Sequence, residues 1–181
     1  MTSYLNVLSD SPESSTKTVA PAAEFLGRVA VFSQNLASAT LARALAAMAE
    51  TIPISHTAPQ CLLASAEGDD HTPGLALAEV CLREAGWAAR WVGAPTRTAH
   101  LVEHVRAGEV QMVALSASLR SRDGPALASQ ARRVGAACRV AGAALVLGGA
   151  GRWPETPSFG VRLRTWEEFA RVTKARAETR S

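Results

Sequence analysis

Apolar segments that alternate with amphipathic segments from Gln60 onward are the feature that most constrains the fold of this chain. Runs of strand length are rich in aliphatic residues at Cys61–Ala66, Ala88–Val92, Val110–Ser116 and Ala143–Leu147, with a short fifth run at Phe159–Leu163. Runs with helical spacing of apolar residues follow at Leu75–Ala85, Arg97–Ala107, Gly124–Val140 and Thr165–Ala177. This alternation predicts an α/β fold, a Rossmann-like doubly wound parallel sheet with flavodoxin-like strand order. Because the strand runs are apolar throughout, we expect helices on both faces of the sheet.

The residues that precede this region predict a different organisation. Residues 1–20 are rich in Ser and Thr, and we expect them to form a mobile tail. Apolar residues recur at helical spacing between Ala22 and Glu50, which predicts one or two amphipathic helices, and prolines within Thr51–Pro59 indicate a linker. We therefore divide the chain into a tail (1–20), a short helical leader with its linker (21–58) and an α/β domain (59–181).

Composition excludes several classes of protein. Hydrophobic residues make up 48% of the chain and charged residues 19%, which is enough apolar material for a core and argues against global disorder. The net charge is only +3, and no helix-turn-helix pattern accompanies the arginines, so we expect no independent sequence-specific DNA binding. The three cysteines are isolated in apolar segments, as is typical of free thiols in a reducing compartment. We expect a cytoplasmic protein without a membrane span.

A loop of glycine and polar residues follows the first predicted strand, with the sequence Gly68-Asp69-Asp70-His71-Thr72-Pro73-Gly74. Ligands of open α/β sheets lie at the carboxyl ends of the strands, where this loop belongs. A histidine there can bind a metal ion, and a carboxylate two residues away can accept a hydrogen bond from the other ring nitrogen. The loop therefore predicts a metal-ligand site in which His71 is the ligand and Asp69 its support.

Two further loops are predicted at the same edge of the sheet. The third strand is followed by Ser116-Ala117-Ser118-Leu119, which offers two hydroxyl groups, and the fourth by Gly148-Gly149-Ala150-Gly151. Glycines without side chains allow a ligand to approach the backbone closely. We expect Gly142, Ala143 and Ala144, which are also small, to help open a slot for the ligand.

The motif Asp69-x-His71-x-x-Gly74, followed by Ser116 and then by Gly148-Gly149, resembles the cobalamin-binding domains of methionine synthase, the base-off mutases and the CarH-type light sensors. The resemblance implies that His71 replaces the dimethylbenzimidazole of cobalamin as lower axial ligand of cobalt, held by a hydrogen bond to Asp69. Ser116 would contact the displaced base in a deep slot, and the glycine pair would leave room for the nucleotide tail.

The cofactor implied is base-off, His-on cobalamin, with a hydroxo, aquo or adenosyl upper ligand. One departure from the family pattern concerns the serine loop. The family usually has Ser-x-Leu there, whereas this chain has Ser118 at the third position and the leucine one residue later, at Leu119. We retain Ser118 as a candidate cofactor-binding residue, and we expect the departure to alter how the tail packs in the slot.

The sequence Asp-Asp-His-Thr-Pro-Gly-Leu-Ala-Leu, at residues 69–77, and the short leader resemble the AerR/PpaA antirepressors of photosynthetic bacteria. Those proteins bind cobalamin and oppose a PpsR/CrtJ-type repressor of photosystem genes. The resemblance implies a light-responsive regulatory protein without enzymatic activity, whose partner is such a repressor. Two alternatives stay open: a corrinoid-carrier subunit of a methyltransferase or mutase, and a haem-binding variant of the same sensor fold.

Other polar and aromatic residues have simpler interpretations. His100 and His104 are four residues apart on a predicted helix, but no third ligand accompanies them, which favours a solvated helix face. His56 is expected at the opposite edge of the sheet, and Asp70 is expected to be a solvated or helix-capping carboxylate. Trp153 follows the glycine pair closely and is a candidate for covering a cofactor edge or contacting a partner.

Overall fold

The computed structural model describes residues 20–93 and 95–178, with side chains from residue 36 onward. Its elements in chain order are α1 (Ala20–Thr51), β1 (Gln60–Ser65), α2 (Pro73–Glu84), β2 (Ala88–Gly93), α3 (Thr98–Arg106), β3 (Met112–Ser116), α4 (Gly124–Ala141), β4 (Ala144–Gly148), β5 (Val161–Arg162) and α5 (Trp166–Glu178). The chain divides into two compact units after Ala37, and the sheet belongs to the second. The predicted tail, except for Ala20, lies outside the described residues.

The sheet consists of five parallel strands in the order β2-β1-β3-β4-β5. This confirms the predicted flavodoxin-like α/β fold. The last residues of the three central strands are in register, because Ser65 of β1 pairs with Ser116 of β3, and Ser116 pairs with Gly148 of β4. The loops that follow these strands therefore begin side by side at one edge, where the strand order reverses between β1 and β3.

Helices cover both faces of the sheet, as the apolar strands predict. One apolar cluster joins α3 and α4 to inward residues such as Leu62, Val113 and Leu145. The other joins α2 and α5 to residues that alternate with these along the strands, such as Leu63 and Met112. Successive residues of a strand point to opposite faces, so each strand contributes to both clusters.

Local sequence signals fix the helix ends that border the ligand-site edge. The carboxylate of Asp123 accepts a hydrogen bond from the backbone N–H of Ala126 at 3.0 Å, which caps the start of α4. The start of α5 carries a reciprocal capping box: the hydroxyl of Thr165 accepts from the N–H of Glu168, and the carboxylate of Glu168 accepts from the N–H groups of Arg164 and Thr165. Both helices therefore begin at defined residues beside the carboxyl ends of the strands.

The expected role of Gly142, Ala143 and Ala144 in opening a slot is wrong. Gly142 ends α4 in the left-handed conformation, with φ +68°, and Ala144 is the first residue of β4. All three residues thus lie at the amino edge of the sheet, opposite the paired residues Ser65, Ser116 and Gly148. No helix among the described residues is both long enough and apolar enough to cross a lipid bilayer.

Candidate ligand site

A cavity of about 270 Å³ opens between α2 and α5 at the carboxyl ends of β3 and β4. Its lining is mostly apolar or without side chains, and comprises Gly74, Leu75, Ala78, Ala114, Leu115, Ser116, Val146, Gly148, Gly149, Ala150, Leu163, Arg164, Thr165, Trp166 and Phe169. We call this cavity the slot. Concave apolar sites with a few polar groups are typical of small-molecule binding. The slot brings together four of the predicted site residues: Gly74, Ser116, Gly148 and Gly149.

The three glycines that line the slot differ in what a side chain at each position would contact. A Cβ at Gly149, where φ is +82°, would clash with the carbonyl oxygen of Ala117 and lie 3.0 Å from the Oγ of Ser116. A Cβ at Gly74 would lie 3.6 Å from the same hydroxyl, in ordinary contact. A Cβ at Gly148 would meet no heavy atom within 4 Å, so it would project into open space at the slot. Gly149 is therefore required by the backbone, whereas Gly148 keeps space free.

Two serines stand in one row beside the slot. Ser116 lines the slot, and its strand neighbour Ser65 has the same side-chain orientation, because it continues the alternation of Cys61 and Leu63 toward the α2–α5 face. Ser65 is fully buried, and its Oγ has no hydrogen-bond partner among the described residues. Sequence reasoning missed Ser65, since a serine at the end of an apolar strand is a weak signal.

Asp69 fastens the loop after β1 to the loop after β3. The residue is only 3% exposed. Its Oδ1 accepts a hydrogen bond from the backbone N–H of His71 at 3.0 Å, and its Oδ2 accepts from the N–H of Ser118 and the hydroxyl of Ser121, both at 2.6 Å. Burial raises the pKa of Asp69, but the hydrogen bonds from Ser121, Ser118 and His71 together lower that pKa below its usual value.

The contact between Asp69 and His71 differs from the predicted one. The carboxylate was expected to accept a hydrogen bond from the imidazole ring, whereas it accepts one from the backbone N–H of residue 71. The imidazole is exposed and forms no hydrogen bond within the described part of the chain. Asp69 thus shapes the loop that carries His71 rather than orienting its ring, and the ring is free to bind a ligand at this edge.

Exposed side chains of the loops after β1 and β3 form a rim at this edge of the sheet. Leu119 is 71% exposed, and Arg120 forms an ion pair with Asp70 across the two loops at 3.7 Å. Asp70 is therefore the solvated carboxylate that the sequence predicts. Ser118 lies in this rim and not in the slot lining: its N–H binds Asp69, and its hydroxyl accepts from the N–H of Arg120.

Trp153 does not have the role for which the sequence made it a candidate. It is 2% exposed, belongs to the cluster on the α3–α4 face, and its indole N–H donates to the carbonyl oxygen of Gly148 at 2.8 Å. Arg162 reinforces the same loop by donating to the carbonyl oxygens of Gly151 and Trp153. These two side chains support the glycine loop from within, so Trp153 is unavailable to cover a cofactor or a partner.

Sequence reasoning missed the wall of the slot that comes from α5 and the segment before it. Trp166 and Phe169 line the slot together with Arg164, whose guanidinium pairs with Glu155. A signal was present, because Thr165-x-x-Glu168 is a capping-box sequence that predicts a helix start directly after the last strand. The aromatic residues of the first turn would then be placed beside the carboxyl ends of the strands.

The remaining histidines do not contribute to the site. His104 contacts the carbonyl oxygen of His100 within the exposed face of α3, and His56 lies with Gln60 and Gln111 at the opposite edge of the sheet. No group of three or more histidine, cysteine or acidic side chains arranged to hold a metal occurs among the residues the structure describes.

Comparisons with known proteins support the fold. No protein-family model and no curated protein sequence matches the chain. Among solved structures, the chain is similar to the monomethylamine corrinoid protein of Methanosarcina barkeri, with a TM-score of 0.58 and 19% sequence identity. The match covers 78% of this chain and 66% of the length of that protein. At this identity the similarity establishes a shared α/β fold.

Proposed function

We propose that this chain binds cobalamin in the base-off form, with His71 as the lower ligand of cobalt, and acts as a regulatory protein. The observation that carries the proposal is the apolar slot beside the His71 loop. Its volume of about 270 Å³ lies near the lower end of small-molecule sites. The structural neighbour, by its name, is a corrinoid protein, which supports the same ligand class.

The residues of the site suit such a cofactor. Base-off cobalamin needs an apolar slot for its displaced base and a nitrogen ligand for cobalt. The slot offers the hydroxyl of Ser116 and open space at Gly148, and the exposed imidazole of His71 offers a nitrogen at the same sheet edge. When bound, cobalamin would supply either a cobalt–carbon bond that light can break, if its upper ligand is adenosyl, or a hydroxo or aquo ligand on cobalt.

The regulatory part of the proposal rests on the loop sequence and on the rim. Residues 69–77 resemble the antirepressor loop, and the exposed side chains of the rim and of His71 offer a surface that a partner protein can contact. The partner proposed is a PpsR/CrtJ-type repressor, and no substrate turnover is proposed. A tenfold preference of the partner for one ligand state requires a coupling free energy of about 1.4 kcal/mol.

Titration of the purified protein with hydroxocobalamin, followed by its absorption spectrum, tests cofactor binding. We expect His71→Ala to lose the spectral signature of histidine ligation and most of the affinity. His100→Ala is the matched control, because His100 is an exposed histidine of α3 outside the site, and it should behave like the unmodified protein. Unchanged spectrum and affinity in His71→Ala would refute ligation, and a haem spectrum of the purified protein would favour the haem-binding variant.

A corrinoid carrier for a methyltransferase or mutase is the second candidate function. The name of the structural neighbour is the observation that favours it. The two functions separate when repressor binding is measured with and without hydroxocobalamin or adenosylcobalamin, in darkness and in light. Ligand- or light-dependent affinity supports regulation. Equal affinity in all states, together with methyl transfer from the loaded protein to a thiol acceptor, supports the carrier.

A further inference from the structure

Trp166 is a large aromatic side chain that lines the slot and is 43% exposed. It is the first residue of α5, and the capping box of Thr165 and Glu168 fixes the backbone at this position. Its ring meets that of Phe169 edge to face, with centroids 6.0 Å apart and an interplanar angle of 87°. The Phe169 ring therefore contacts the indole while Trp166 remains partly open to solvent.

The walls of the slot outside α5 and the segment before it differ in character from Trp166. On the sheet side they consist of small or aliphatic residues, such as Ala114 and Val146, and the polar group on that side is the hydroxyl of Ser116. A flat heteroaromatic ring suits these walls, because it can pack against the indole, contact the aliphatic residues and direct a nitrogen to the hydroxyl. A saturated or branched group would make less contact with the face of the indole.

We propose that Trp166 determines specificity at this site by selecting corrinoids that carry a heteroaromatic lower base over corrinoids that lack one. The inference rests on the proposed function, since it assigns the base of cobalamin to the slot. Trp166 acts on the base and not on the cobalt, so its contribution is separate from that of His71. The aromatic wall thus makes the displaced base a recognition element.

Binding of two probes, hydroxocobalamin and diaquocobinamide, tests this inference, because cobinamide has the same corrin ring but lacks the nucleotide base. Dissociation constants are measured by absorption titration for the unmodified protein, Trp166→Ala, Trp166→Phe and the control Val140→Ala, a residue 87% exposed on α4. We expect Trp166→Ala to weaken hydroxocobalamin binding about tenfold or more and to leave cobinamide binding within about twofold. Trp166→Phe should recover part of the loss, and Val140→Ala should have no effect.

The outcomes distinguish this inference from the proposed function. If the unmodified protein binds neither probe, the proposed function fails and the inference fails with it. If both probes bind and Trp166→Ala weakens them equally or not at all, cobalamin binding stands and the role of Trp166 is refuted. If Trp166→Ala does not fold, Trp166→Phe tests the inference in its place. The contact is refuted if this variant keeps the selectivity between the two probes and shows no change in the quenching of tryptophan fluorescence by hydroxocobalamin.

Discussion

Replacement of Asp69 by Asn removes one acceptor from a carboxylate that satisfies three donors. An Asn side chain has a single acceptor oxygen, which can replace Oδ2 toward Ser118 and Ser121 but then turns its NH₂ group toward the N–H of His71. An unsatisfied buried donor costs about 1–3 kcal/mol, and the two retained hydrogen bonds lose their charge assistance. We expect the free energy of unfolding to fall by about 3 kcal/mol, which lowers the melting temperature by roughly 6–12 °C.

The loss should depend on pH with a defined sign. Because the pKa of Asp69 is lowered in the folded protein, its ionised form contributes stability above the unfolded pKa of about 3.9. That contribution is lost as pH falls through the lower folded pKa. The difference in stability between the unmodified protein and Asp69→Asn should therefore be largest near neutral pH and should narrow below about pH 4. Denaturant unfolding followed by circular dichroism at several pH values measures it.

Asp70→Asn is the matched control, because it makes the same chemical change at the neighbouring position. Asp70 is exposed, and its ion pair with Arg120 joins two side chains that are 75% and 63% exposed, so the change should cost less than about 1 kcal/mol. The reasoning is refuted if Asp69→Asn is as stable as Asp70→Asn at pH 7, or if the loss caused by Asp69→Asn does not diminish in acid.

Three further predictions concern the slot and its support. Gly149→Ala should lower the free energy of unfolding by about 2–4 kcal/mol, because of its positive φ and the clash with Ala117. Gly148→Ala should instead leave the free energy of unfolding within about 1 kcal/mol and weaken hydroxocobalamin binding. Denaturant unfolding measures the first effect, and absorption titration measures the second. Ser65→Ala should be neutral or stabilising in denaturant unfolding, because it removes a buried hydroxyl that has no hydrogen-bond partner in the described part of the chain; a loss above about 1 kcal/mol would show that the hydroxyl is bonded. Trp153→Phe should cost about 0.5–1.5 kcal/mol in the same assay, because it removes one of the two hydrogen bonds that the carbonyl oxygen of Gly148 accepts and leaves the one from the N–H of Ala117; an unchanged stability would contradict this.

Much of the fold could be predicted from periodicity because each element carries a local signal. The aliphatic runs became β1 to β4 with ends shifted by at most two residues, and the amphipathic runs became α2 to α5. Strand order also followed, since helices of this length between parallel strands permit few arrangements. The predicted sharing of one sheet edge by His71, Ser116 and Gly148 depended only on the strands being parallel, and the register confirms it for Ser116 and Gly148.

The errors concern contacts that sequence spacing cannot specify. Gly142 is small and near the glycine loop in sequence, but it precedes β4 and therefore lies at the opposite edge of the sheet. Trp153 follows the glycine loop, yet the chain turns inward there and buries the indole beneath Gly148. Asp69 lies two residues from His71, but its carboxylate is drawn toward Ser118 and Ser121. In each case the contact depends on the path of the chain in three dimensions, which spacing along the sequence does not give.

The sequence by itself determined the α/β class and the edge where the His71 loop and the glycine pair meet, because hydrophobic period and loop composition are local properties and parallel strands end at one edge. Only the tertiary structure decided that α5 comes back beside α2 to form the slot, with Trp166 in its wall. It also decided that Ser65 is buried next to Ser116, with no hydrogen-bond partner for its hydroxyl among the residues that the structure describes. Such features arise when elements distant in sequence pack together, and no local pattern records which side chains then face one another.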